Sequence, residues 1–143
     1  MNSDTINLLK ECNAGCKSAT NSIEQVMEYV KDEKLKEVIS DYNKQHIEIG
    51  DKCHSLLNKY GSSEKDPQPM AKAISFITTE IKMMSDNSSQ KAAEIMMDGC
   101  NMGIKNVSGY INKYSGANDE SKKMADKIVK IEQNFIEELR SFL

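Results

Sequence analysis

The chain has 143 residues, 38% hydrophobic and 29% charged, with 19 basic against 22 acidic side chains and a formal net charge of −3. That composition suits one folded domain and excludes a disordered or membrane-embedded chain. Without a basic surplus the chain lacks the electrostatic footprint of a general nucleic-acid binder. The opening Met1-Asn2-Ser3-Asp4-Thr5 has neither the basic start nor the apolar run of a signal peptide. No window approaches the roughly 20 apolar residues that cross a bilayer. A cytoplasmic protein is expected, whose four cysteines, Cys12, Cys16, Cys53 and Cys100, are thiols.

Absence of Trp, only two Pro and many Lys, Glu, Met and Ile favour an all-α fold. A first helix is predicted over 3–30. Ser3 or Asp4 caps it, and Ile6, Leu9, Asn13, Cys16, Thr20, Ile23, Met27 and Val30 form a stripe at three- and four-residue spacing. After the polar break Lys31-Asp32-Glu33, a second helix covers 34–60. Leu35, Ile39, Tyr42, His46, Ile49, Cys53, Leu56 and Tyr60 face inward, and Gly61 is its stop. The short link makes these two an antiparallel hairpin.

The loop 62–69, broken by Pro67 and Pro69, leads to a shorter helix over 70–84. A fourth helix follows over 89–114, with Ala93, Met96, Cys100, Gly103, Val107, Tyr110 and Tyr114 on its stripe. After the turn 115–119, the last helix covers 120–142 and turns Ala125, Ile128, Glu132, Phe135, Leu139 and Phe142 inward, with Ile131 and Ile136 widening the stripe. Four helices of about 25 residues are each about 40 Å long, and the linker holding the short helix can just traverse that length. Two antiparallel hairpins joined by one long crossover are the ferritin-like topology. A weak internal repeat agrees with it, Gly15-Cys16 matching Gly99-Cys100.

Nearly the whole chain resembles the bacterial ferritin-like four-helix-bundle domain of unknown function. The resemblance is carried by Ile6-Asn7-Leu8-Leu9 with Asn13-Ala14-Gly15, and by Leu35-Lys36-Glu37-Val38-Ile39. It continues in Leu57-Asn58-Lys59-Tyr60-Gly61, the Gly109-Tyr110 region and Phe135-Ile136-Glu137-Glu138-Leu139. It implies the fold and brings no activity.

Ferritin-like di-metal proteins carry one Glu on each of two helices and a Glu-x-x-His on each of the other two. Here the first such motif reads Asn43-Lys44-Gln45-His46, the second ends on Glu132, and Cys16 and Cys100 stand at the single-Glu positions. Ferroxidase or oxygen-activating chemistry therefore lacks its carboxylates; Asp41, Glu48 or Glu138 would have to turn inward to supply them. A different set remains. Cys16, His46, Cys100 and Glu132 each lie near the middle of their own helix, on or beside the inner stripe, so all four can meet at one level. Two thiolates, an imidazole and a carboxylate suit Zn²⁺, and Fe²⁺ less well. Against this stands a plain core, in which buried cysteine is a small apolar residue and His46 bonds Tyr42, Tyr110 or water.

Asp51 and His54 have ligand spacing, but His54 falls beside the stripe and belongs at the surface. Cys12 and Cys16 share a helix face, where a disulfide is poorly placed. Met83-Met84 and Met96-Met97 read as core fillers. Gly99 and Gly103 inside a helix each cost about 1 kcal/mol against Ala, which points to close helix approach or to room for the crossover helix. No phosphate loop, nucleotide fingerprint, nucleophile elbow or Cys-x-x-Cys occurs. The first expectation is a non-enzymatic bundle, without cofactor, that associates with itself as a homodimer or with a protein partner. The second is a metal- or thiol-based binder or sensor using the Cys/His/Glu set with Zn or Fe. The third is a diverged di-metal oxidoreductase.

Overall fold

Amphipathic stripes on long helices leave water only by meeting one another. In the computed structural model, which describes residues 2–62 and 89–143, four such helices do so. They are α1 (Ser3–Met27), α2 (Glu33–Lys59), α3 (Ser89–Lys113) and α4 (Asp119–Leu139), followed by a single 3₁₀ turn, Arg140–Phe142. The short helix expected over 70–84 lies outside the described residues, as do Met83 and Met84. No strand occurs among the described residues, and the architecture is the all-α four-helix bundle the periodicity predicts.

The ends follow from local chemistry. Asn2, rather than Ser3 or Asp4, caps α1, its Oδ1 accepting the Thr5 N–H at 2.8 Å. Asp32 caps α2 through the Leu35 N–H at 3.0 Å, and Asn118 caps α4 through the Ser121 N–H at 2.9 Å. α2 stops as Gly61 predicts. Gly61 takes φ +70°, the Ser62 N–H reaches Leu57 O at 2.9 Å and the Gly61 N–H reaches Asn58 O at 3.0 Å. This is a Schellman closure. α1 ends three residues earlier than the stripe suggests; Val30 remains 1% exposed, but from the turn.

Side chains at the start of α1 bond the α3–α4 turn. Asn2 Nδ2 donates to Gly116 O at 2.8 Å, the Gly116 N–H donates to Asp4 Oδ2 at 2.9 Å, and the Asn118 N–H donates to Thr5 Oγ1 at 2.8 Å. At the same end the Tyr60 hydroxyl donates to Glu120 Oε1 at 3.2 Å. Hence α1 and α4 run one way, α2 and α3 the other, and α2 ends where α3 does not begin. The connection between them therefore joins opposite ends of the bundle. Helices α1 and α4 each pack against all three others, while α2 and α3 stand apart on the other diagonal.

The stripe reading of α1 is too narrow. Besides Leu9, Cys16 and Ile23, the helix buries Thr5, Leu8, Cys12, Ala14, Ser18, Ser22 and Val26. At the end of α2 the buried leucine is Leu57, not Leu56. Tyr42 and Phe135 stack across α2 and α4 with centroids 4.3 Å apart and planes 10° apart.

Thr5 is fully buried and is the acceptor for the Asn118 N–H. Thr5→Val keeps the shape and removes the acceptor. Leaving that N–H unmet costs about 1–3 kcal/mol, which a urea unfolding series compared with Thr5→Ser, which keeps the acceptor, will read as a drop in midpoint for Val that exceeds that for Ser.

Candidate functional site

A helix repeats its face every three to four residues, so His46 follows Tyr42 on the inward side of α2 and Glu132 follows Ile128 on the inward side of α4. His46 is 2% and Glu132 6% exposed. The imidazole Nδ1–H donates to Tyr42 O, four residues back, at 2.6 Å. That bond leaves Nε2 facing Glu132 Oε1, with which it forms a short hydrogen-bonded ion pair across the two hairpins. Burial pushes the His46 pKa down, but the hydrogen bond and charge of Glu132, with the Tyr42 carbonyl, outweigh it and hold His46 above its ordinary 6.5.

Cys100 on α3, 3% exposed, gives its thiol hydrogen to the same carboxylate. Burial first, then the charge and hydrogen bond of Glu132, raise its pKa far above that of a free thiol, so it is a neutral donor. Cys16 on α1 is also buried, and burial, Cys53 and Glu132 push its thiol up in that order. The four residues singled out from the sequence thus come from four helices, and the other three act on Glu132, but not as equals. His46, Cys100 and Glu132 border one cleft; Cys16 and His46 border a second, more open groove between α1 and α2.

The cleft lies between α1 and α3 and has a volume of about 70 Å³. Its walls are small on both sides: Gly15, Ser18 and Ala19 from α1, Gly99 and Gly103 from α3. A Cβ built on Gly103 would stand 3.6 Å from Glu132 Cδ, so this glycine uncovers the carboxylate. Met96, Ile128 and Phe135 supply apolar lining. Glu11, 5% exposed, also borders the cleft and accepts the Tyr110 hydroxyl.

Other expectations divide. His54 is exposed, as its place beside the stripe predicts, and pairs with Asn58 at 3.0 Å. Asp41, Glu48 and Glu138 are exposed, so none of them adds a carboxylate to the centre. Among the described residues no group of three or more His, Cys, Asp or Glu side chains is arranged to hold a metal ion. Both ring nitrogens of His46 are engaged, Cys100 bonds Glu132, and burial raises the Cys16 thiol. The sequence reading missed Glu11, whose stripe it left outward, and the contact of Cys12 with Cys53.

The pair makes stability depend on pH. A histidine raised on folding contributes fully below its unfolded pKa, near 6.5, and loses that contribution as pH rises through the folded value. Chemical denaturation of the wild type will therefore show stability falling as pH rises above that range, and Glu132→Gln will flatten the fall. In an NMR titration Glu132→Gln will bring the His46 pKa down. Glu132→Ala, which strands the imidazolium, will cost about 3–5 kcal/mol.

The structure is similar to the crystal structure of a DUF305 fragment from Deinococcus radiodurans, with a TM-score of 0.78 over 98% of this chain and 95% of that chain at 10% sequence identity. At that identity the likeness concerns the fold. No family model and no curated protein matches the chain.

Proposed function

We propose that this chain is a binding protein on a ferritin-like bundle, and that its working site is the α1/α3 cleft ending on Glu132. The observation that carries this reading is that the buried His46–Glu132 pair borders an apolar cleft instead of being packed over. The resemblance read from the sequence and the opposed ends of α2 and α3 support the ferritin-like assignment. A reducing, cytoplasmic setting suits four free thiols.

The ligand class follows from the lining. A volume of about 70 Å³ is several times what one water needs, about 10–15 Å³, and accommodates a small organic group. The walls are mostly apolar, and a carboxylate offers about four acceptor positions, of which His46 and Cys100 take two. A small apolar molecule carrying one hydrogen-bond donor fits that end. Association through an apolar face has less support, because the exposed large hydrophobic residues among the described ones are Ile47 and Leu143. Zinc or iron on Cys16, His46, Cys100 and Glu132 is the competing occupant. It would require His46 Nε2 to leave Glu132 and the thiols to ionise.

Phenol and toluene, followed by NMR titration of the ¹⁵N-labelled chain, test the reading. Phenol is expected to shift the Met96, Cys100 and Gly103 amides. Toluene, lacking the donor, will bind about tenfold more weakly, the equivalent of one hydrogen bond. Gly103→Leu will abolish both responses. Shifts that are absent, or that persist in Gly103→Leu, sink the cleft. Metal content of protein purified anaerobically without chelators is the second arm. Near-stoichiometric zinc or iron, lost in both Cys16→Ser and His46→Ala, would replace the organic ligand by a metal.

A further inference from the structure

Outside the cleft, the reactive side chains that gather most closely among the described residues are thiols on the α1–α2 face. Cys12, Cys16 and Cys53 are free and are 1%, 2% and 0% exposed. None of them lines the cleft. The Cys12 thiol is hydrogen-bonded to Cys53, on the neighbouring helix.

Helix register puts them there. A Cβ built on Gly50 would stand 3.3 Å from Cys16 Cβ, so α1 and α2 approach closely at that level. Three residues further along α2 is Cys53; because the helices are antiparallel, the matching step on α1 runs back one turn, to Cys12. A glycine-assisted approach is also what brings two Cα atoms into the range of about 4.4–6.8 Å that a disulfide spans. Cys12 and Cys16, four apart on one helix, hold their Cβ atoms about 5–6 Å apart, wider than the roughly 3.5–4.5 Å a disulfide takes. The partner for Cys12 lies across the hairpin.

We propose that Cys12 and Cys53 are a dithiol that closes to a disulfide between α1 and α2 by exchange with a low-molecular-weight disulfide. One protein thiol loses its proton and attacks a sulfur of the small disulfide, whose S–S bond breaks and releases one small thiol. The second protein thiol then attacks the mixed disulfide and releases the other small thiol. Two protein S–H bonds are lost, one S–S bond forms, and the small disulfide takes up two electrons and two protons. Because both sulfurs are buried, the exchange proceeds through transient opening of the hairpin, and burial together with the Cys12–Cys53 contact makes Cys12 a slow nucleophile. The bond ties α1 to α2 without touching Glu132.

The test incubates the folded chain with bis(2-hydroxyethyl) disulfide, alkylates what remains reduced, and maps the bonds by peptide mass spectrometry. Fragment ions must separate Cys12 from Cys16. The expected product has lost two hydrogens, joins Cys12 to Cys53, and melts several degrees higher by circular dichroism. Cys53→Ala will not form it, whereas Cys100→Ala and Cys16→Ala will. Four alkylated thiols, mixed adducts that do not resolve, or a bond from Cys16 to either neighbour would overturn the proposal. So would the same mixture of bonds as the chain gives when oxidised in urea. That last comparison uses the wild type alone and stands even where an alanine variant fails to fold.

Discussion

The Glu132 carboxylate is only 6% exposed, and the bundle is arranged around keeping it satisfied. Removing a carboxylate and an imidazolium from water costs several kcal/mol for each ion, and only close mutual contact with further hydrogen bonds offsets that. Here the second bond of His46 goes to a backbone carbonyl of its own helix, which fixes the ring, while Cys100 adds a neutral donor from α3. The charge in the core is thereby held by residues from three helices, and the two hairpins are fastened to each other at mid-height. Tyr42 and Phe135 stack across the same two helices, α2 and α4, that carry the imidazole and the carboxylate.

Small residues decide what surrounds that pair. Had α1 and α3 met with ordinary leucine-sized side chains, the carboxylate would be covered. Gly15 and Gly99, the two glycines of the Gly-Cys repeat, instead face the same cleft with Gly103, and so among the described residues that side has no bulky wall. On the opposite side Gly50 has the contrary effect, letting α2 close on α1 until Cys16 fills the space. Glycine in a helix is unfavourable in isolation. In this bundle it sets separation: open toward α3, tight toward α2.

Much of this was legible in the sequence. The inward faces of α2 and α4 were read almost residue by residue, because Leu, Ile and Phe at helical spacing have one way to leave water. That His46 and Cys100 reach Glu132 at one level agrees with their mid-helix positions, while Cys16 borders the other groove. Helix α1 was read too narrowly. Its extra buried positions include Thr5, Ser18 and Ser22, which count as polar until their partners are known; Ser18, for example, bonds Ala14 O at 3.0 Å. Which nitrogen of His46 meets which oxygen, and that the centre is hydrogen-bonded in this form, depends on distances that spacing does not carry. The Asn2, Asp4 and Thr5 bonds were equally hidden, since a side chain capping its own helix and one reaching a turn 112 residues away look alike in a sequence.

Those bonds bear on the order of events as the chain is made. Helix α1 is produced first and packs most extensively on α2, yet side chains at its start bond backbone groups at 116–118, and the rest of its buried face is covered only once α3 and α4 exist. Until then the α1–α2 hairpin carries an unpaired His46 and an uncovered row of leucines. The first half of the chain therefore waits, partly formed, for the second, and the last helix to be synthesised is the one that makes the first one permanent.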